Sequence, residues 1–355
     1  MTTETPAFHV LALSGGGYRG LYTATVLAEL ESKMGRPIAS HFDLICGTSI
    51  GGILALGLAA EIPAKQLKEL FIKDGKRIFA ERSIFRRIIK NLGFRAIFAE
   101  RSIFHQIKKI RVRAKHDSKG LRVVLAEQFG PKTIGELKHR VLIPAVNCTT
   151  GKGQFFKTPH HRSFEHDYQM RILDVALATS AAPTYFPMSR NDSGVFADGG
   201  LVGNAPGLFG LHEVKTFLTP PDVIPKVRML SIGTMTIGTS VLGNDCLDKG
   251  IIRWGSGLFD LIISAQESSV NYMLRHSLKH DYFQIDDTAT HAQAKAVMEL
   301  DQVSDAATTT LMDMGLEAAK RALGDPLFQP FRDYSAPNAV FYHGPNKNDV
   351  PEATC

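Results

Sequence analysis

The pentapeptide Gly47-Thr48-Ser49-Ile50-Gly51 lies between two apolar runs, and that setting limits the fold more than its five letters do. Phe42 to Cys46 reads as a short buried strand and Gly51 to Ala60 as a packed helix. A serine on a sharp strand-to-helix turn projects its hydroxyl away from the backbone, and flanking glycines remove the Cβ clashes such a turn creates. The helix that follows offers free N–H groups and the positive end of its dipole to a developing oxyanion. The chemistry in view is therefore acyl transfer or hydrolysis, with Ser49 as nucleophile and Gly47 and Gly51 as the elbow that mounts it.

Upstream, His9 to Leu13 reads as a first strand, followed by the loop Ser14-Gly15-Gly16-Gly17-Tyr18-Arg19-Gly20 and a helix ending near Gly35. A β-α-β-α opening implies a parallel sheet with helices on its faces. Gly15 to Gly20 also satisfies G-x-G-x-x-G, so a dinucleotide fold competes. That fold needs an acidic residue at the carboxyl end of its second strand. Here Asp43 begins that strand and the serine turn ends it. An oxyanion hole is the better use of the loop, because consecutive glycines let N–H groups converge on one point. Both turns would lie at carboxyl strand ends on one edge of the sheet.

Ser49 needs a base. His212, His276, His280 and His291 lie downstream, as a Ser-Asp-His order would require. Phe196-Ala197-Asp198-Gly199-Gly200 is a sharper candidate, a short strand delivering one carboxylate into a glycine turn. His276 and His280 lie four apart on an expected helix beside Arg275 and Lys279, as a solvated face requires.

Together, Gly15 to Gly20, Gly47 to Gly52 and Asp198-Gly199-Gly200 resemble the patatin-like phospholipases. Ala178 to Phe186 is similar to that family's third block, and Ser231-Ile232-Gly233-Thr234 to its later strand. The resemblance spans residues 9–235. It implies a patatin-like three-layer α/β fold with a mostly parallel central sheet and helices on both faces. It also implies a Ser49/Asp198 dyad without histidine, and an oxyanion site at Gly15, Gly16 and Gly17 with Arg19. The activity implied is calcium-independent hydrolysis of lipid acyl esters. A narrower likeness, carried by Ser14 to Leu21, Phe42 to Ile45 and Gly57 to Pro63, is to bacterial effector phospholipases of antiphage defence that cyclic GMP–AMP switches on. It implies a cyclic dinucleotide activator, but assigns no residue of this chain to binding it.

The dyad poses a physical problem. Aspartate is a weaker base than histidine by ~2.6 pKa units, or ~3.5 kcal/mol. Burial in a water-poor cleft recovers part of this. A direct Arg19–Asp198 pair would undo the gain, so Arg19 is expected to hold the glycine loop through backbone carbonyls instead.

Composition bounds the rest. The chain has 355 residues, 44% hydrophobic and 21% charged, which is ordinary for a globular protein. No signal segment is expected, since Met1 to Pro6 is polar and Phe8 to Leu13 too short. The longest uncharged stretch, Leu44 to Ala60, carries four glycines and the serine turn, so it is not expected to span a membrane. Cys46, Cys148, Cys246 and Cys355 stand far apart, which suits a reducing compartment and argues against a zinc site. No metal or cofactor is expected.

The net charge of +6 is uneven. Ile62 to His116 holds 16 Lys and Arg against 4 Asp and Glu. An anionic partner, either a phospholipid surface or nucleotide phosphates, fits that segment, as does a plain solvated surface. DNA and RNA are not expected partners, and self-association is left open. Within it, Ile78 to Phe85 recurs letter for letter as Ile97 to Phe104. On a helix, Ile84, Phe85, Ile88, Ile89 and Leu92 would share one face and Arg82, Arg86 and Lys90 another. Such a helix can lie on an anionic membrane, act as a lid or pack as an ordinary surface helix. Further strands are expected over 141–146, 195–197 and 227–232, with long helices over 249–279 and 302–322. One domain is expected over 1–322 with the basic segment (about 62–116) as an insertion. The tail 323–355 reads as loop with a short Ala339 to Tyr342 strand. The setting expected is the cytoplasm, at the inner face of the membrane. A constitutive lysophospholipase, a Ser-His-Asp hydrolase and a non-catalytic nucleotide- or membrane-binding module remain alternatives.

Overall fold

A computed structural model describes residues 7–81, 113–235, 257–297 and 300–348. Its strands are β1 (Phe8–Leu13), β2 (Leu44–Gly47), β3 (Val141–Asn147), β4 (Lys152–Lys157), β5 (Ser189–Asn191), β6 (Gly194–Asp198), β7 (Val227–Ile232) and β8 (Tyr282–Ile285). They form one sheet in the order β5-β6-β3-β2-β1-β7-β8, with β4 also paired to β3. The run β3-β2-β1-β7-β8 is parallel, and β4, β5 and β6 join antiparallel. The helices used below are α1 (Gly20–Met34), α2 (Ile50–Ala59), α3 (Ala64–Ile78), α4 (Lys119–Phe129), α5 (Ile172–Thr179), α6 (Gly200–Gly203), α7 (Gly207–Glu213), α8 (Gly257–Leu278), α9 (His291–Val297) and α10 (Asp305–Gly324).

Side chains alternate across a strand, so one strand feeds two cores. Leu11 and Leu13 of β1 pack on the side of α1, α2, α5 and α10, whereas Val10 and Ala12 pack with Leu211 of α7 and Leu274 of α8. The strands are apolar on both faces because both faces are covered. This is the expected three-layer α/β arrangement.

The strands expected over 9–13, 42–46, 141–146, 195–197 and 227–232 are present within two residues. The expected helix over 302–322 is α10, and that over 249–279 is α8, whose first eight expected positions lie outside the described residues. Most of the basic repeat, from Arg82 onward, also lies outside them. The Ala339 to Tyr342 strand does not form. Tyr342 N–H donates to the Pro159 carbonyl at 2.7 Å, and Phe341 N–H to Asn348 Oδ1 at 2.8 Å, so loop partners satisfy the backbone. Nor is the segment after 322 all loop, because a helix at Gln329–Asp333 follows a tight turn and both bury an aromatic ring, Phe331 and Phe328.

That segment closes over two neutral histidines. Tyr334 stacks on His9 at 3.8 Å and donates to Asp43 Oδ2 at 2.8 Å. His41 Nδ1 meets the Phe331 carbonyl at 3.1 Å. Burial, helped by Arg228, lowers His9 to about 3, and burial with Arg36 lowers His41 to about 4. The unfolded chain, with histidine near 6.5, therefore binds more protons between those values. Stability from these groups is complete above pH 6.5 and lost as pH falls towards 4. The urea midpoint is expected to drop between pH 7 and pH 5, and His41→Asn to flatten that drop. A midpoint equal at both pH values in the wild type contradicts this.

Candidate active site

The register of β3 brings two distant residues together. β4 pairs along one edge of β3 from Leu142 to Asn147. β2 and β6 must then share the other edge, β2 at Val141 and Leu142, β6 at Ala145 to Asn147. They run in opposite senses, so their carboxyl ends meet head-on beside Pro144. Ser49 follows the end of β2 and Asp198 ends β6.

Ser49 is held at φ 55°, ψ −123°, an uncommon conformation for a residue with a side chain. What over-determines it is packing and hydrogen bonding. A Cβ on Gly51 would lie 2.3 Å from the Leu13 carbonyl oxygen, so only glycine lets α2 start this close to β1. Ser49 N–H donates to Thr179 Oγ1 at 3.0 Å, and that hydroxyl donates to the Pro144 carbonyl at 2.6 Å. Thr48 Oγ1 donates to the Gly203 carbonyl at 2.8 Å. The turn is thus pinned from β3, α5 and α6.

Ser49 Oγ donates to Asp198 Oδ2 at 2.7 Å, and Gly200 N–H donates to Asp198 Oδ1 at 2.7 Å. Asp198 is only 2% exposed, and burial pushes its carboxyl up to about 7 against the pull of those two hydrogen bonds. Ordinary histidine lies near 6.5, so here a carboxylate has the basicity usually supplied by imidazole. No histidine lines the cleft among the described residues. His276 and His280 are exposed on or just beyond α8, and His276 lines a different groove.

The glycine loop reaches the same cleft, with changes from expectation. Gly16 and Gly17 line it, and neither N–H has a partner among the described residues. Gly15 N–H instead donates to the Asn204 carbonyl at 3.2 Å, so Gly15 is not a free donor. Its own carbonyl accepts from Asn204 Nδ2 at 3.1 Å and Thr234 Oγ1 at 3.2 Å. Arg19 neither lines the cleft nor holds the loop carbonyls. It is half-buried, donates to the Met235 carbonyl at 3.5 Å, and its charge faces Glu267, Asp260 and Asp286. Asn204 and Thr234 hold the loop and Thr179 the serine turn, and sequence reasoning gave none of them a role. Thr179 and Thr234 lie inside the motif blocks, which was the only signal.

The cleft encloses about 560 Å³, open solvent at its mouth included. Ile53, Ile78, Phe79, Phe186, Phe259 and Leu300 make its walls apolar, with Ser49 and Asp198 at its polar end. Apolar walls converging on a polar centre suit an acyl chain ending in an ester. Among the described residues no group of three or more His, Cys, Asp or Glu is placed to hold a metal ion. Nor is any helix among them long and apolar enough to cross a membrane.

The family model described as "Patatin-like phospholipase" matches residues 11–208. A cGAMP-activated phospholipase of Pseudomonas aeruginosa is 66% identical over 354 residues, covering 99% of this chain and 100% of its own length. Enzymes of the same description from Vibrio cholerae and Escherichia coli are 37% and 35% identical, covering 92% and 89% of this chain and 96% and 90% of theirs. With the serine turn, the glycine loop and Asp198 gathered on one cleft, these matches settle the family: the chain is an enzyme of the patatin-like phospholipases.

Proposed function

We propose that this enzyme releases fatty acids from membrane glycerophospholipids through a Ser49/Asp198 dyad, and that cyclic GMP–AMP switches it on. The observation that carries the chemistry is the 2.7 Å bond from Ser49 Oγ to a buried carboxyl pushed up to about 7. Ser49 Oγ attacks the ester carbonyl as Asp198 Oδ2 takes its proton. The carbonyl π electrons move to oxygen, and the N–H groups of Gly16 and Gly17 stabilise that oxyanion, each donor contributing ~2.7–4 kcal/mol. Collapse expels the lysophospholipid alkoxide, which takes the proton from Asp198, and leaves an acyl-serine. Water then gives a proton to Asp198 as it attacks the acyl-serine; on collapse the C–Oγ bond breaks and Ser49 Oγ takes that proton back, freeing the fatty acid and restoring both Ser49 and the Asp198 carboxylate.

The switch rests on the relatives, three of which are named for activation by cGAMP. Action from the cytoplasm on the inner membrane face fits an intracellular nucleotide signal. The test is fatty-acid release from phosphatidylethanolamine–phosphatidylglycerol vesicles, with and without cyclic GMP–AMP. Release that depends on the nucleotide is expected. Full release without it removes the switch, and no release in either arm removes the phospholipase reading.

A further inference from the structure

A second cavity, larger than the catalytic cleft, lies on the other side of α8. It spans about 1,510 Å³, open solvent at its mouth included, between the helix, the edge strand β8 and the residues just after β8. Its lining is polar where the cleft's is apolar. Ser264, Ser268, Tyr272 and His276 recur every four residues on α8 and so share one helical face. Tyr272 is 65% exposed with the His276 ring 4.2 Å behind it. A tyrosine presented this way to water offers a flat face on which a base can stack. Arg275 extends beside it, with one guanidinium nitrogen fixed by a 2.7 Å bond to Gln284 Oε1 of β8. The inner wall carries two carboxyls, Glu267 and Asp286.

We infer that this groove is the binding site of the nucleotide activator, and that Glu267 transmits its occupancy to the glycine loop. The ligand's identity rests on the reading given under Proposed function; the site itself rests on the groove. A cyclic dinucleotide presents flat purine faces, two phosphodiester anions and base edges rich in N–H donors. Tyr272 complements the faces. Arg275 complements a phosphate, since a guanidinium whose orientation is already fixed loses little freedom on binding. Glu267 and Asp286 complement the donor edge of guanine rather than the phosphates, and Ser268 and Gln284 can take either donors or acceptors.

The coupling runs through the wall between the two cavities. The Glu267 carboxyl accepts from the Ser14 side chain and lies 3.5 Å from Asn204 Nδ2. That same nitrogen holds the Gly15 carbonyl at 3.1 Å, and Asn204 lines the catalytic cleft. Burial and the neighbouring Asp286 raise Glu267 above the usual carboxylate range, so its charge is sensitive to any donor arriving from the groove. A donor that favours the ionised carboxylate strengthens its hold on Ser14 and Asn204, and with it the geometry of Gly16 and Gly17.

The test measures cyclic GMP–AMP binding by calorimetry and nucleotide-dependent fatty-acid release, with melting curves as a folding check. Tyr272→Ala and Arg275→Ala are each expected to weaken binding about tenfold or more and to raise the activating concentration equally, with the rate at saturating nucleotide unchanged. Glu267→Gln is expected to weaken binding about tenfold as well but, unlike the other two, to lose most of the activation even at saturating nucleotide. If the wild type responds and all three variants match it, the groove is not the site, although nucleotide control stands. If the wild type neither binds nor responds, nucleotide control itself fails and this inference falls with it.

Discussion

Asp198→Asn is expected to lower fatty-acid release by ~10²–10⁴-fold, the usual contribution of a positioned general base. Ser49→Ala is expected to lower it further, by at least ~10⁴-fold, because no acyl-enzyme can form. At saturating cyclic GMP–AMP, His276→Ala and His280→Ala are expected to leave the rate within about twofold, since both side chains are exposed away from the cleft. The pH profile separates a carboxylate base from a mere positioning group. Asp198 must be ionised to accept the Ser49 proton, and burial places its titration at about 7. Wild-type kcat/KM should therefore climb tenfold per pH unit below that value and level off above it. Stability has the opposite sign. The folded carboxyl is raised above its unfolded value, so the native state holds the extra proton between pH 4 and 7 and this group's contribution declines as pH rises through that window. Asp198→Asn at pH 8 is accordingly expected to melt no lower than wild type, while its activity is lost. A variant that melts well below wild type, or a wild-type rate independent of pH from 5 to 8, contradicts the assignment.

How much of this was legible in the sequence follows from the range of the interactions. The parallel core was readable because β1, β2, β3 and β7 are apolar runs bounded by turn signals, and the serine and glycine turns announce their backbone needs locally. β4, β5 and β8 were not. Lys152–Lys157 has one buried side chain, Ser189–Asn191 is three residues long, and Tyr282–Ile285 directly follows a helix without a break in pattern. Strand character there comes from a pairing partner rather than from composition. The dyad partner could be named from its motif, but the reason Ser49 meets Asp198 could not. It depends on β2 and β6 sharing one edge of β3, a matter of register between strands about 150 residues apart. Arg19 shows the same limit. Its place in the motif suggested the loop, whereas acidic groups on α8 and after β8, more than 200 residues away, decide where its charge goes.

Gly17→Ala is expected to lower fatty-acid release by ~10²–10³-fold, the loss that follows when one oxyanion donor moves away. Gly17 has φ +58°, and a Cβ there would stand 2.1 Å from the Leu300 carbonyl oxygen. That oxygen already accepts the Tyr18 N–H at 2.6 Å, so backbone faces backbone and neither side can yield as a flexible side chain would. The loop must shift, carrying the Gly16 and Gly17 N–H groups away from Ser49. Gly35→Ala provides the control. Gly35 also has positive φ, +71°, yet a Cβ there meets nothing within 4 Å. It should cost only the left-handed backbone penalty of ~1–2 kcal/mol and leave kcat unchanged. Ser49 remains the nucleophile in both variants, so an irreversible serine-directed phosphonate separates their fates. Labelling should slow about as much as turnover in Gly17→Ala, because the probe's phosphoryl oxygen needs the same two N–H groups, and stay at the wild-type rate in Gly35→Ala. Equal labelling rates in both variants would take the oxyanion role away from this loop.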